Sequence, residues 1–257
     1  MVNVQRNTTN YYDIVIIGSG PAGLSAAARA AFYHENTTHL LLEAFHTQSK
    51  TIHDYQKRKF VMVEPSFLNL RSEMKFSAGS REEILQEWLI DSDRLNLNIR
   101  YDAVVSSITG EQNNFEITLN NGDIVSAKNI VLAIGCQGNP RQVGVKGDHN
   151  SNFVRYTLSD PDEFEGKVIV VIGAGDAAIE NAIALSKHNQ VYIVNRRNEF
   201  SRAKEGNLTQ ILTAINHAQT TLDSYYSTTI SAINLPEQDD SMGVLVLNTP
   251  QGEVRVE

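Results

Sequence analysis

A short pattern that occurs twice constrains the fold of this chain more than any other feature. Residues 13–30 read DIVIIGSGPAGLSAAARA, and residues 168–184 read VIVVIGAGDAAIENAIA. Each copy has an apolar run, a glycine-rich break and an alanine-rich stretch typical of a helix. A strand, a tight loop and a helix in this order begin a βαβ unit of a parallel sheet. The repeat therefore predicts an α/β chain with two such units.

The first glycine-rich break has the spacing G-x-G-x-x-G. Gly18 permits a tight turn, Gly20 lets the backbone approach a pyrophosphate, and Gly23 allows close packing of helix on strand. The N–H groups and the dipole at the helix start would hold the phosphates, and a helix tolerates proline at this position. The predicted contact residues are Gly18, Ser19, Gly20, Pro21, Ala22 and Gly23.

An acidic residue follows the second strand of the first unit. The segment HLLLEAF places Glu43, with Ala44 beside it, about 20 residues past Gly23. A carboxylate here accepts hydrogen bonds from ribose hydroxyls and repels a 2′-phosphate. A structural turn without a ligand is the alternative. The pattern favours a dinucleotide that lacks the 2′-phosphate, and we predict FAD.

The second break differs from the first at the tip of its second strand. Its loop positions are Gly173, Ala174, Gly175, Asp176, Ala177 and Ala178, with alanine as an allowed variant of the third glycine. The strand QVYIVN ends at Asn195, and Arg196, Arg197 and Arg202 follow. Guanidinium groups suit a 2′-phosphate, although a solvated basic loop would look the same. We predict NADPH at this loop.

Composition excludes several classes of function. The chain has 30 acidic against 22 basic residues and a formal net charge of −8, which argues against binding nucleic acid. It lacks a secretory signal and an apolar run of the roughly 20 residues that span a bilayer, so we expect a cytoplasmic protein that does not enter a membrane. Cys136 is the single cysteine and is interpreted as a small buried residue. The histidines show no metal-ligand spacing, and we expect no metal site.

The remaining sequence predicts how the two units are arranged along the chain. Ser80 is placed to cap a helix over about 80–90, and Asn120-Asn121-Gly122 predicts a hairpin. The Gly/Pro/Asn-rich passage 135–152 is interpreted as a connection. We therefore assign 1–145 to an FAD-binding domain and 146–257 to an NAD(P)-binding domain, which ends in two or three strands.

Four motifs in this order resemble the flavoprotein pyridine nucleotide-disulfide oxidoreductase superfamily, and its low-molecular-weight thioredoxin reductases most. They are GSGPAG, the A-T-G-like VLAIG (131–135), a GGGDSAxE-like segment over 173–180 and an HRRxxFR-like segment over 195–202 in which Asn195 replaces histidine. The resemblance implies two Rossmann-like domains with parallel sheets and β-meander insertions. It also implies Gly135 near the flavin dinucleotide, Glu180 near the nicotinamide, a domain hinge in 135–152 and a possible homodimer. The predicted cofactor-binding set also includes Val105.

Two departures qualify the resemblance. These reductases carry C-x-x-C before the second fingerprint, whereas residues 154–167 (VRYTLSDPDEFEGK) contain no cysteine. Passages such as KRKFVMVEPSFLNL resemble a cysteine-free subgroup instead. The superfamily chain also returns to its FAD domain after the NADPH domain, and this sequence stops where that return should begin. We therefore expect a C-terminally truncated chain with weakened FAD affinity.

The expected function is an FAD-dependent oxidoreductase. NADPH would reduce the flavin, which would then reduce a disulfide, a ferredoxin-like carrier or another small acceptor. No side chain is assigned a catalytic role, because cofactors supply hydride chemistry. The alternatives are a flavin-dependent monooxygenase, whose usual F-x-G-x-x-x-H-like motif is missing from residues 154–167, and a non-catalytic nucleotide-binding fragment.

Overall fold

The chain forms two compact units, Met1–Asn139 and Pro140–Glu257. The structure, a computed structural model, describes residues 10–33, 37–63, 71–136, 142–148, 153–217, 219–234 and 243–257. The domain boundary predicted after residue 145 lies a few residues beyond this division between Asn139 and Pro140. Part of the proposed hinge, 137–141 and 149–152, falls outside the described residues.

The elements of the first unit form a six-stranded sheet, a two-stranded sheet and three helices in the described residues. They are β1 Tyr11–Ile17, α1 Pro21–Phe32, β2 His39–Leu42, α2 Lys50–His53, β3 Phe60–Val61, β4 Gly79–Ser80, α3 Arg81–Arg94, β5 Ile99–Arg100, β6 Val105–Glu111, β7 Asn114–Leu119 and β8 Ile124–Leu132. The strand order in the main sheet is β5-β2-β1-β8-β7-β6. Strands β2, β1 and β8 are parallel, while β6, β7 and β8 form an antiparallel meander. The predicted α/β class with a meander is confirmed.

Local sequence signals set the helix starts in this unit. Gly20 is the N-cap of α1, and Pro21 takes the first helical position, where its missing N–H is not needed. Ser80 and Glu83 form a capping box at the start of α3: Ser80 Oγ accepts from Glu83 N–H, and the Glu83 carboxylate accepts from Ser80 N–H at 2.8 Å. The predicted cap is confirmed, and the helix continues to Arg94.

One hydrophobic cluster joins these helices to the parallel strands. Alternate residues of β1 and β2 face α1, because side chains of a strand alternate between its two faces. Burial of their apolar surface stabilises this packing. The fully buried members include Ile16, Leu24, Ala27, Ala28 and Leu41, with Ile84 and Trp88 from α3.

The second unit repeats the arrangement on a smaller scale. Its elements are β9 Val168–Ile172, α4 Asp176–Leu185, β10 Gln190–Val194, α5 Glu205–Ile215, β11 Leu222–Tyr225, β12 Thr229–Asn234, β13 Val244–Thr249 and β14 Gly252–Val256. Strands β11, β10 and β9 form a parallel sheet, and β12, β13 and β14 form an antiparallel one. No helix in the described ranges is long and apolar enough to cross a membrane.

Two expectations from the sequence are wrong. Among the residues that the structure describes, four strands follow α5, because β11 joins the parallel sheet before the antiparallel one begins. The turn between β11 and β12 contains no glycine or proline and uses Ser227 at a φ of 50°. Cys136 is exposed, because it follows Gly135 beyond the end of β8.

A polar cluster near the start of β1 connects β1, β8 and the residue that precedes β2. Asp13 accepts hydrogen bonds from Lys128 of β8 and from Thr38, whose N–H lies 2.8 Å and whose hydroxyl lies 2.7 Å from Oδ2. These bonds, that of Lys128 foremost, lower the pKa of Asp13 from 3.8 to about 2. The carboxylate therefore contributes stability above pH 4, and this contribution is lost as the pH falls toward 2.

We expect Asp13→Asn to lower the free energy of unfolding by about 1 kcal/mol at pH 7, a modest value because water still reaches part of the carboxylate. The difference from the parent should shrink between pH 5 and pH 2. Urea unfolding across this range measures it. Glu116→Gln, an exposed carboxylate on β7, is the control. A pH-independent difference would contradict the assigned role.

Candidate dinucleotide sites

The first cradle, residues 18–23 with the strand tip at Glu43, lies where parallel strands end together. Ile17 pairs with Leu42 of β2 and with Leu132 of β8, so the residues that follow leave the sheet at one edge. Gly18 N–H donates to Leu42 O at 2.8 Å. Its φ is +98°, and a Cβ there would lie 2.6 Å from Ala133 O. Glycine is therefore required for this turn.

Gly23 is required for a second reason. A Cβ on Gly23 would lie 1.8 Å from Gly18 O. This helix residue consequently packs on the loop backbone with no side chain between them, as the sequence predicted.

Gly20 has no such structural requirement. Its φ of −69° suits any residue, and no heavy atom of the described residues lies within 4 Å of a Cβ built there. Gly20 directly precedes the first turn of α1, whose N–H groups lack partners within the helix. A pyrophosphate group fits this position, because it needs that space and those donors.

Glu43 points toward the cradle and connects the strand tip to the glycine loop. The residue is buried, and Oε2 accepts from Ser19 N–H at 2.9 Å and from the Ser19 hydroxyl. Oε1 accepts from Phe45 N–H at 3.1 Å. A carboxylate has about four acceptor positions, so these three bonds leave capacity for one ribose hydroxyl.

Sequence analysis missed a second support of this loop, Ser49. Ser49 N–H donates to Ser19 Oγ at 3.1 Å, and its hydroxyl donates to Ser19 O at 3.0 Å. Ser49 is the N-cap of α2 and has a φ of +60°. The neighbouring Gln48 is buried and accepts from Ser92 of α3 at 3.0 Å. No motif marks these residues, because their partners are distant in the sequence.

The structure brings some of the other predicted residues to the same edge. Ala133 N–H donates to Ile17 O at 2.8 Å, so Gly135 follows directly beyond the loop-side end of β8. Gly135 and Ala44 are exposed. The side chain of Val105 packs against the hydrophobic cluster that contains Ile17 and Leu42, and its predicted contact with the cofactor stays a prediction.

The second cradle, residues 173–178 with the strand tip at Asn195, has the same backbone plan. Gly173 N–H donates to Val194 O at 3.0 Å, and its φ is +135°. Gly175 is the N-cap of α4 at a φ of −94°. As at Gly20, a Cβ built there meets no heavy atom within 4 Å in the described chain. Ala178 is accommodated because Gly173 has no side chain: a Cβ there would lie 3.2 Å from the Ala178 Cβ.

Two acidic residues of α4 contact the start of α5. Asn207 Nδ2 donates to Asp176 Oδ1 at 2.8 Å and to Glu180 Oε1 at 3.0 Å. Lys204 N–H also donates to Asp176 Oδ1, at 2.9 Å. These bonds hold Asp176 Oδ1 and connect the first turn of α4 to the start of α5.

Three arginines follow the strand tip of the second cradle. Arg196, Arg197 and Arg202 are exposed, whereas Asn195 is buried with 2% of its surface accessible. Arg197 Nη1 donates to Ser201 Oγ at 3.1 Å. The arrangement can bind a phosphate group through guanidinium donors. Among the described residues, no group of three His, Cys, Asp or Glu side chains could hold a metal ion.

Comparison with known proteins identifies relatives of this chain. The family model "Pyridine nucleotide-disulphide oxidoreductase" matches residues 15–244. The ferredoxin–NADP reductase of Leuconostoc citreum is 30% identical over 198 residues, which are 76% of this chain and 55% of that protein. The ferredoxin–NADP reductase of Ignicoccus hospitalis is 27% identical over 199 residues, which are 73% of this chain and 57% of that protein. The chain thus spans little more than half the length of these curated relatives.

A solved structure supports the fold. The bacillithiol disulfide reductase Bdr from Staphylococcus aureus superposes with a TM-score of 0.80 at 20% sequence identity, covering 96% of this chain and 74% of that one. At this identity the likeness shows the fold alone.

The two helix-start glycines of the first cradle provide a matched test. We expect Gly23→Ala to lower the free energy of unfolding by about 2 kcal/mol or more, because the methyl group collides with backbone. Gly20→Ala should change stability by less than about 1 kcal/mol and weaken FAD binding at least about tenfold, because the methyl group occupies the space above α1. Urea unfolding and calorimetric titration with FAD measure the two effects. Unchanged FAD affinity in Gly20→Ala would contradict the cradle assignment.

Proposed function

Because this chain belongs to the pyridine nucleotide-disulphide oxidoreductase family, we propose that it acts as an NADPH-dependent flavoprotein reductase. FAD occupies the first cradle, and NADPH occupies the second. The predicted cytoplasmic location is part of this proposal.

The contrast between the two strand tips carries the proposal. At the first tip a buried carboxylate, Glu43, is bonded to the glycine loop and has acceptor capacity for a sugar hydroxyl. At the second tip the corresponding residue is neutral, and Arg196 and Arg197 follow it at the surface. A carboxylate rejects a 2′-phosphate through charge repulsion, and guanidinium groups attract one.

The protein contributes binding and placement. When bound, FAD and NADPH supply the hydride and electron transfer. Gly20 and Gly175 leave room for pyrophosphate at two helix starts, where the first-turn N–H groups of α1 and α4 would donate to it. Glu43 would orient the ribose of bound FAD, and Asn207 holds Glu180 in place on α4. No side chain of this chain is assigned a proton transfer.

The proposed electron acceptor is a small ferredoxin-like carrier protein. The curated relatives described above are named ferredoxin–NADP reductases. The chain has one cysteine, so a dithiol relay between two of its own residues cannot operate.

Stopped-flow mixing of FAD-loaded protein with NADPH tests the proposal. We expect the flavin absorbance to bleach with NADPH and much more slowly with NADH. Absence of bleaching would refute the reductase. Oxygen consumption stimulated by an organic substrate would indicate a monooxygenase, and NADP⁺ binding in preparations that do not take up FAD would indicate a non-catalytic nucleotide-binding protein.

Removal of the two tip cations tests the nucleotide assignment separately. Arg196→Ala combined with Arg197→Ala should weaken NADPH binding by about a hundredfold and NADH binding by less than about threefold, because only NADPH carries the 2′-phosphate. Calorimetric dissociation constants measure both. Arg255→Ala, an exposed arginine on β14 of the same unit, is the control. Equal losses for both nucleotides would defeat the assignment.

A further inference from the structure

Asn195 takes the position in the second unit that Glu43 takes in the first. Ile17 pairs with Leu42 directly before Glu43, and Ile172 pairs with Val194 directly before Asn195. Gly18 and Gly173 donate their N–H groups to Leu42 O and Val194 O in the same way. The two side chains therefore leave equivalent strand tips, and their contacts can be compared.

Every polar group of Asn195 is engaged within its own unit. The backbone N–H donates to Tyr225 O at 2.8 Å, and the backbone O accepts from Thr228 N–H at 3.0 Å. The side-chain Nδ2 donates to Glu199 O at 2.7 Å, and Oδ1 accepts from Arg197 N–H at 2.9 Å. The two backbone partners, one acceptor and one donor, fix the orientation of the amide. Asn195 is buried, with 2% of its surface accessible, and its side-chain amide links residue 195 to residues 197 and 199 of the loop 195–199.

This arrangement differs from that of Glu43 in what the side chain holds. Glu43 bonds to Ser19 of its glycine loop, whereas within the described part of the chain the Asn195 amide bonds to the loop that carries the arginines. Ser227 N–H adds a further bond to Arg197 O at 2.9 Å. The backbone of Arg197 is consequently fixed on both its N–H and its carbonyl side.

We infer that Asn195 is a positioning residue for NADPH specificity: it closes the loop 195–199 so that Arg196 and Arg197 project together at the strand tip. The inference rests on the proposed function, in which the second cradle takes NADP(H). A fixed backbone lowers the conformational entropy that the guanidinium groups lose when they bind a phosphate. This role needs no direct contact between Asn195 and the nucleotide, and the sequence-based prediction that Asn195 is itself a cofactor-binding residue stays a prediction.

The side-chain chemistry explains why asparagine suits this position. The two hydrogen bonds across the loop need one donor and one acceptor on a short side chain, and asparagine supplies both. Aspartate lacks the donor for Glu199 O and would place a buried charge beside the 2′-phosphate. Alanine lacks both groups and would leave Arg197 N–H and Glu199 O without these partners.

The chain offers a matched control at the other end of β10. Asn189 is also buried, accepts from Lys167 N–H at 3.0 Å, and donates to Phe164 O and Leu185 O at 2.9 Å each. It directly precedes β10, and Asn195 directly follows it. Removal of either amide breaks a comparable set of bonds, but only Asn195 adjoins the arginines.

The test compares Asn195→Ala with Asn189→Ala in the whole chain. Calorimetry gives dissociation constants for NADP⁺ and NAD⁺, and thermal unfolding reports stability. We expect Asn195→Ala to weaken NADP⁺ binding about tenfold relative to NAD⁺ binding, and Asn189→Ala to leave this ratio unchanged. Asn195→Ser, whose hydroxyl can still accept from Arg197 N–H, is a milder variant with an expected intermediate ratio, and it provides the test if Asn195→Ala does not fold.

The outcomes separate the inference from the proposed function. The quantity compared is the preference of each variant for NADP⁺ over NAD⁺. If the Arg196→Ala, Arg197→Ala double variant lowers this preference while the Asn195 variants behave like Asn189→Ala, the positioning role is wrong and the NADPH assignment stands. If the double variant also leaves the ratio unchanged, the NADPH assignment itself fails. Equal weakening of NADP⁺ and NAD⁺ binding in the Asn195 variants would reduce Asn195 to a general structural residue.

Discussion

At the start of α1 the helix backbone packs directly on the backbone of the glycine loop, with no side chain between them. The geometry of the first cradle depends on this contact. Gly23 of the helix lies so close to Gly18 that a Cβ on Gly23 would fall 1.8 Å from the Gly18 carbonyl oxygen. The contact holds the helix start over the carboxyl edge of the sheet, where β1, β2 and β8 end together. The donors of the first helical turn consequently face the same point as the strand tips. In the second cradle the approach is less tight, and Ala178 fits against Gly173.

The two cradles share a backbone plan and differ in charge at one equivalent position. A glycine loop and a helix start attract any pyrophosphate, because the N–H groups and the helix dipole do not depend on the side chains. Discrimination between dinucleotides therefore falls to the residues at the second strand tip. Glu43 keeps an anion there and joins it to Ser19. Asn195 removes the anion and organises a loop of cations instead.

Much of this organisation could be predicted because its causes are local. The glycine spacings, Pro21 at the first helical position, the Ser80–Glu83 capping box and the hairpin at Asn120–Gly122 depend on residues within one turn or loop, and the structure confirms these elements. The family and the fold class were predicted from the same motifs. The turn after β11 was missed because Ser227 adopts a positive φ without a glycine or proline to signal it. Cys136 was predicted to be buried and is exposed. Burial depends on which elements pack over a residue, and the sequence around Cys136 does not show this.

By itself the sequence determined the two βαβ units, their glycine loops and the opposite charges that follow their second strands, because each is a property of residue type and spacing. Only the tertiary structure decided which groups the tip side chains contact. Ser49 donates a hydrogen bond to the first glycine loop, Val105 packs against a buried cluster, and the Asn195 side chain bonds within its own loop. These contacts arise when strands and loops distant along the chain meet at one sheet edge, and hydrogen bonds of about 3 Å require positions that spacing alone does not specify.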